Sequence, residues 1–200
     1  MKAKRSLLPV LAMMCLFLLL PFAAHGQEMT DMPMPTDSAT SVSPEVAKLV
    51  ADVRHTTAGF RDFSTAEPAG YGKFLDCFTN AQVGGMGQHY VNGDLVGDDV
   101  ADPMKPEALV YEPDGKGNMN LVAFEYLIFA DKWDPNNTGK PAPMLFDRPM
   151  HLMTNIPNTP PVWALHLWLW TDNPDGLFSN FNPIVFCPAD QPITDMTPNS

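Results

Sequence analysis

Two ionisable residues stand alone inside long apolar stretches. Glu125 lies within Leu121-Val122-Ala123-Phe124-Glu125-Tyr126-Leu127-Ile128-Phe129, and His166 within Val162-Trp163-Ala164-Leu165-His166-Leu167-Trp168-Leu169-Trp170. Both stretches read as strands, whose side chains alternate between two faces. Alternation sets Leu121, Ala123, Glu125 and Leu127 on one face of the first. In the second it sets Val162, Ala164, His166, Trp168 and Trp170 together. Both faces are apolar, so both ionisable groups are expected inside. A lone buried carboxylate is strongly destabilising unless paired, protonated or bound to metal. Two such groups point to one shared interior site.

His89 is the natural third member. It follows Gly84-Gly85-Met86-Gly87, and glycines permit close backbone approach or unusual φ/ψ. Two imidazoles and a carboxylate form the open donor set of non-haem iron, and the set also suits other divalent transition metals such as zinc, manganese or copper. Tyr90, Tyr126, Glu107 and Glu112 are candidates to hydrogen-bond the ligands or supply a fourth. In a catalytic centre the open positions would activate water or dioxygen, with Tyr126 or Tyr90 as proton donor. The same residues also fit a structural His–Glu cluster that only sets strand register, or a metal-free ligand or catalytic site.

Other chemistry-bearing residues fall outside this set. His55 reads as a solvent-facing helix residue and His151 as a strand-edge residue. Trp163, Trp168 and Trp170, with Phe124 and Tyr126, could line a sugar-binding or apolar pocket, although core packing gives the same pattern. Met29, Met32 and Met34 form a thioether cluster around Asp31, and soft sulfur suits copper(I). A non-catalytic copper- or small-ligand-binding protein is therefore a competing reading. Asn136-Asn137-Thr138 is a glycosylation sequon that matters only in a eukaryotic host. Dinucleotide, phosphate-loop and nucleophile-elbow motifs are absent from the 200 residues.

The elements that must hold these residues follow from local signals. Lys2, Lys4 and Arg5 precede an apolar run from Leu7 to Phe22, and small residues at Ala24 and Gly26 suit a cut before Gln27. Residues 1–26 thus read as a signal peptide. Export to the periplasm or the extracellular space is expected, without a stable membrane anchor after cleavage. Residues 27–42 read as a flexible Met- and Pro-rich arm, 43–188 as one globular domain and 189–200 as a disordered tail. Ser43-Pro44-Glu45 is a helix start, with a cap, a proline at N1 and an acid near the positive end of the dipole. A helix to about His55 and a second over 58–66 are expected. Strands are expected at 88–92, 106–113, 120–129, within 144–153, at 161–170 and at 183–187. The fold class is α+β, mainly β, with N-terminal helices packed on a small antiparallel β-barrel or sandwich.

In an oxidising compartment Cys77 and Cys187 read as one disulfide. It closes a loop of about 110 residues, which the chain-entropy model values at about 4–5 kcal/mol. Charge narrows the partners. Twelve Lys+Arg stand against 23 Asp+Glu, and removing residues 1–26 takes the formal charge from −11 to −14. A nucleic-acid partner needs a basic face, so none is expected. A metal ion or a small molecule is.

The runs at 84–92, 106–113, 122–126, 163–170 and 173–187 resemble a group of exported proteins of unknown function. The likeness covers most of residues 55–187. It implies that His89, Glu125 and His166 lie within shared motifs and the Met-rich arm outside them. More loosely, the chain resembles cupins, as a small exported β-rich protein with His and Glu on strands, but without the cupin ligand spacing.

Overall fold

The computed structural model describes residues 42–196. Its frame is a curled seven-stranded sheet, a half-barrel. The strands are β1 (Gly72–Asn80), β2 (Gly84–Val91), β3 (Ala108–Pro113), β4 (Met119–Phe129), β7 (His151–Met153), β8 (Val162–Leu167) and β9 (Ile193–Asp195). Their order is β7-β8-β4-β3-β2-β1-β9, while β5 (Met144–Leu145) and β6 (Arg148–Pro149) form a separate ribbon. The sheet is open at β7 and β9, so it is neither a closed barrel nor a two-sheet sandwich. It is also not wholly antiparallel, because β9 runs parallel to β1.

Helix α1 (Pro44–Thr56) starts where Ser43 Oγ accepts a hydrogen bond from the Val46 N–H at 3.2 Å. Arg54 and His55 occupy its last turn, where cations suit the dipole. The expected second helix is instead three 3₁₀ turns, Ala58–Arg61, Phe63–Thr65 and Glu67–Ala69. Asp62 caps the second turn through Ser64, and Pro68 is the second residue of the third. Short polar caps at this spacing interrupt helix propagation. Two one-turn helices, α2 (Gly93–Val96) and α3 (Ala130–Trp133), sit between strands.

Strand pairing sorts the core into two faces. Tyr90, Leu109, Phe124 and Leu167 lie opposite one another in register across β2, β3, β4 and β8. This face packs with Val46 and Val53 of α1. Ala108, Glu125 and His166 are likewise aligned and face the other way, among Phe78, Met86, Leu127, Val162 and Met196.

Several expected boundaries shift. β1 holds a bulge, with Leu75 at φ 51° and a register break between Phe74 and Phe78. The buried Gln88 amide donates to the Phe74 and Leu75 carbonyls there. β8 ends at Leu167 because the Trp168 N–H donates to Leu177 O, although the Trp170 N–H returns to Val122 O of β4. Residues 183 and 184 form a turn and 185–187 are irregular, where a strand is expected. Where the sequence suggests a disordered tail, Ile193–Asp195 pairs with Cys77–Thr79 and Met196 is buried. The disulfide Cys77–Cys187 is formed, with a Cα–Cα distance of 5.8 Å.

Glu107 sits just before β3, and its Oε2 accepts a hydrogen bond from the Leu127 N–H at 3.0 Å. Burial is the main cause that lifts its carboxyl to about 8, and Asp98 and Asp102 push the same way. The folded chain therefore holds this proton more tightly than the unfolded chain. Its contribution is fully present below the unfolded value near 4.5 and is lost as pH rises to about 8. Thermal melts from pH 5 to 8.5 should show Glu107→Gln gaining on the parent as pH rises, by on the order of a few kcal/mol. A pH-independent difference in Tm would contradict this assignment.

Candidate metal centre

The three expected site residues meet on the face opposite α1. Glu125 of β4 lies directly opposite His166 of β8. His89 reaches the same point from β2, across the intervening β3. Ala108 of β3 is paired with Glu125 and contributes only a methyl group on this face. His89 is itself paired with Val110, so its imidazole crosses β3 on a diagonal to reach the carboxylate.

His89 Nε2 is 3.3 Å from Glu125 Oε2, and His166 Nδ1 is 3.6 Å from Glu125 Oε1. The two Nε2 atoms are 3.4 Å apart. All three residues are buried, with exposures of 3, 6 and 1% for His89, Glu125 and His166. Phe78 meets His89 edge-on at 4.7 Å, and Trp168 stacks on His166 at 5.9 Å. Trp168 lies two residues beyond His166, on the face where strand alternation sets it. Phe78 gave no comparable signal, because the bulge hides the periodicity of β1.

Burial pushes the Glu125 carboxyl up, but the imidazoles of His166 and His89 outweigh it and hold the group below its ordinary value. Burial is also the main cause that lowers His166, to about 4; Glu125 opposes this, while His89 and His151 add to it. Both shifts lean toward the forms that bind metal, a neutral imidazole and an ionised carboxylate. His89 Nδ1 and His166 Nδ1 are buried without a hydrogen-bond partner.

One ligand atom from each residue lies within 4.8 Å of the others. Donors about 2.1 Å from one ion stand about 3.0 Å apart at an octahedral edge and about 3.4 Å apart at a tetrahedral edge. The separations of 3.3 Å and 3.4 Å around His89 Nε2 fall within that range. The cluster can hold a metal ion.

The expected supporting residues do not join it. Tyr90 and Tyr126 directly follow His89 and Glu125, so strand alternation turns them to the α1 side. There Tyr90 meets Phe63 and Tyr111, and the Tyr126 hydroxyl donates to Pro103 O. Glu112 accepts from the Phe186 N–H at the other end of β3, and Glu107 is occupied by Leu127. His151 is exposed on β7 and His55 on α1. The aromatic residues do not form one pocket. Trp168 stacks on His166, Phe124 and Tyr126 pack on the α1 side, and Trp170 lies beneath Arg54 and Arg61. Met29, Met32 and Met34, like the expected signal peptide, lie outside the described residues.

A cavity of about 80 Å³ adjoins His89 and Glu125 and is otherwise almost wholly apolar. A surface cleft of about 480 Å³ beside Arg148, His151 and Asp175 does not include the three residues. Comparisons with family models, curated proteins and solved structures find no match to the chain.

In metal-free protein Glu125→Ala leaves two imidazoles facing each other in an apolar interior. Urea unfolding at pH 7 in chelator should show a loss of about 1–3 kcal/mol, the cost of buried polar groups left unpaired. Glu125→Gln retains a hydrogen-bond acceptor and should lose less. Equal, small losses in both variants would mean that the carboxylate does not hold this cluster together.

Proposed function

We propose that this is an exported protein that binds one divalent transition-metal ion through His89, Glu125 and His166. The supporting observation is the donor geometry: three buried ligand atoms of two chemical types within 4.8 Å of one another, with the two separations at His89 Nε2 matching those about a single ion. The chain presents imidazole nitrogens and a carboxylate oxygen, orients them from three strands and keeps bulk water out. A bound ion would supply Lewis acidity or redox chemistry at this point. Export is supported by the signal-like residues 1–26 and by the Cys77–Cys187 bridge, a bond that persists in oxidising compartments. Among the described residues no helix is long and apolar enough to cross a membrane.

One observation favours a second reading, a structural polar cluster. Glu125 lies 3.3 and 3.6 Å from the two imidazoles, close enough to serve as their partner itself. Metal analysis separates the two readings. Untagged protein recovered from its exported location should carry close to one equivalent of iron, zinc, manganese or copper by elemental mass spectrometry. His89→Ala and His166→Ala should each lose it. At a hundredfold excess over Kd, the ion should raise stability by about 2.7 kcal/mol. Protein that takes up none of these metals, even after incubation with each, would sink the metal reading and leave the structural one.

A further inference from the structure

The cavity beside the three residues has one polar corner. His89 and Glu125 form it, and Phe78, Met86, Leu127, Met153, Val162 and Met196 form much of the rest. Thr159 also borders it, but its hydroxyl donates to Pro157 O. Among the described residues no Lys or Arg lines the cavity. An anion entering it would face Glu125 without a compensating cation, and a sugar would lose water from more hydroxyls than the walls can satisfy. Size excludes more. The volume of about 80 Å³ is about half that of an apolar protein cavity known to take benzene or xenon.

Building on the metal reading, we propose that this cavity receives a small, uncharged, weakly hydrated molecule beside the metal. Its size is that of a diatomic gas or a hydrocarbon of about three heavy atoms. The ligand would approach on the side shared by His89 and Glu125, because His166 does not border the cavity. Ile156 and Thr159, both partly exposed in the loop between β7 and β8, mark the way in. The aromatic and thioether walls offer dispersion contacts but few hydrogen bonds. Selection would therefore rest on size and on the cost of dehydration.

The methionines provide the test. Full-chain protein labelled at the methionine methyl carbons would be titrated with cyclopropane, in metal-free and zinc-loaded forms, and followed by NMR. Met86, Met153 and Met196 should shift saturably in both forms. Met119 and Met150, which belong to the opposite core, should not. Acetate and urea at the same concentration should leave the three methyls unmoved. Ile156→Trp at the mouth should weaken the cyclopropane response at least tenfold, and Val162→Phe should fill the space from within. If Val162→Phe does not fold, the mouth variant still decides. The proposal is overturned if cyclopropane moves none of the three methyls, moves all buried methionines alike, or loses its effect once zinc is bound. Failure to bind zinc is read separately from zinc content and overturns the metal reading beneath the proposal.

Discussion

A carboxylate that stays ionised inside a sheet must be held by positive charge or by several donors. Otherwise desolvation would neutralise it or unfold the chain. Glu125 imposes that requirement here. Its position at the centre of β4 requires one imidazole from β8, directly opposite, and another from β2, two strands away. The second contact depends on the strand between. On β3 the residue opposite His89 is Val110 and the residue opposite Glu125 is Ala108, so the contact crosses the strand on a diagonal. Strand order and register are thus conditions of one contact.

The far wall of the site depends on the C-terminal segment. Gly84 and Gly85 let residues 182–185 lie against β2. A Cβ at Gly84 would stand 2.3 Å from Asn182 O, and one at Gly85 would stand 2.6 Å from Val185 O. Cys187 then joins Cys77, and the chain runs on to β9, whose pairing with β1 is followed by the buried Met196. The glycines, disulfide and last strand together bring Met196 to the cavity. The early region and the end of the chain therefore complete a site whose ligands lie between them.

The ligand set was legible because it breaks a pattern. Glu125 and His166 are charge-capable residues in apolar strands, and their faces follow from alternation alone. His89 was legible from its glycine-rich approach. The supporting residues were misread because Tyr90 and Tyr126 were judged by nearness in sequence. One step along a strand reverses the side chain, so the residue beside a ligand is the one that cannot reach it. The β1 bulge hid a strand by breaking the period-2 pattern, and Gln88 repairs its carbonyls from a neighbouring strand, a contact invisible to local sequence. The last strand was lost for another reason. Ile193–Asp195 has little apolar signal of its own, and its place depends on pairing with residues more than a hundred positions earlier.

The two faces also divide the polar chemistry. The Tyr71, Tyr111 and Tyr126 hydroxyls each donate to a backbone carbonyl, of Pro106, Phe60 and Pro103, and so tie the N-terminal turns and the segment before β3 to the sheet. Burial is the leading cause that raises each phenol above its ordinary value. Held there, they are structural donors and cannot serve the opposite face. Beside the cavity, Thr159 is likewise occupied, and the two imidazoles are themselves the proposed ligands. Among the described residues, no free proton donor is therefore aimed at the site. On that face the chain itself contributes apolar walls and three donor side chains held by separate strands.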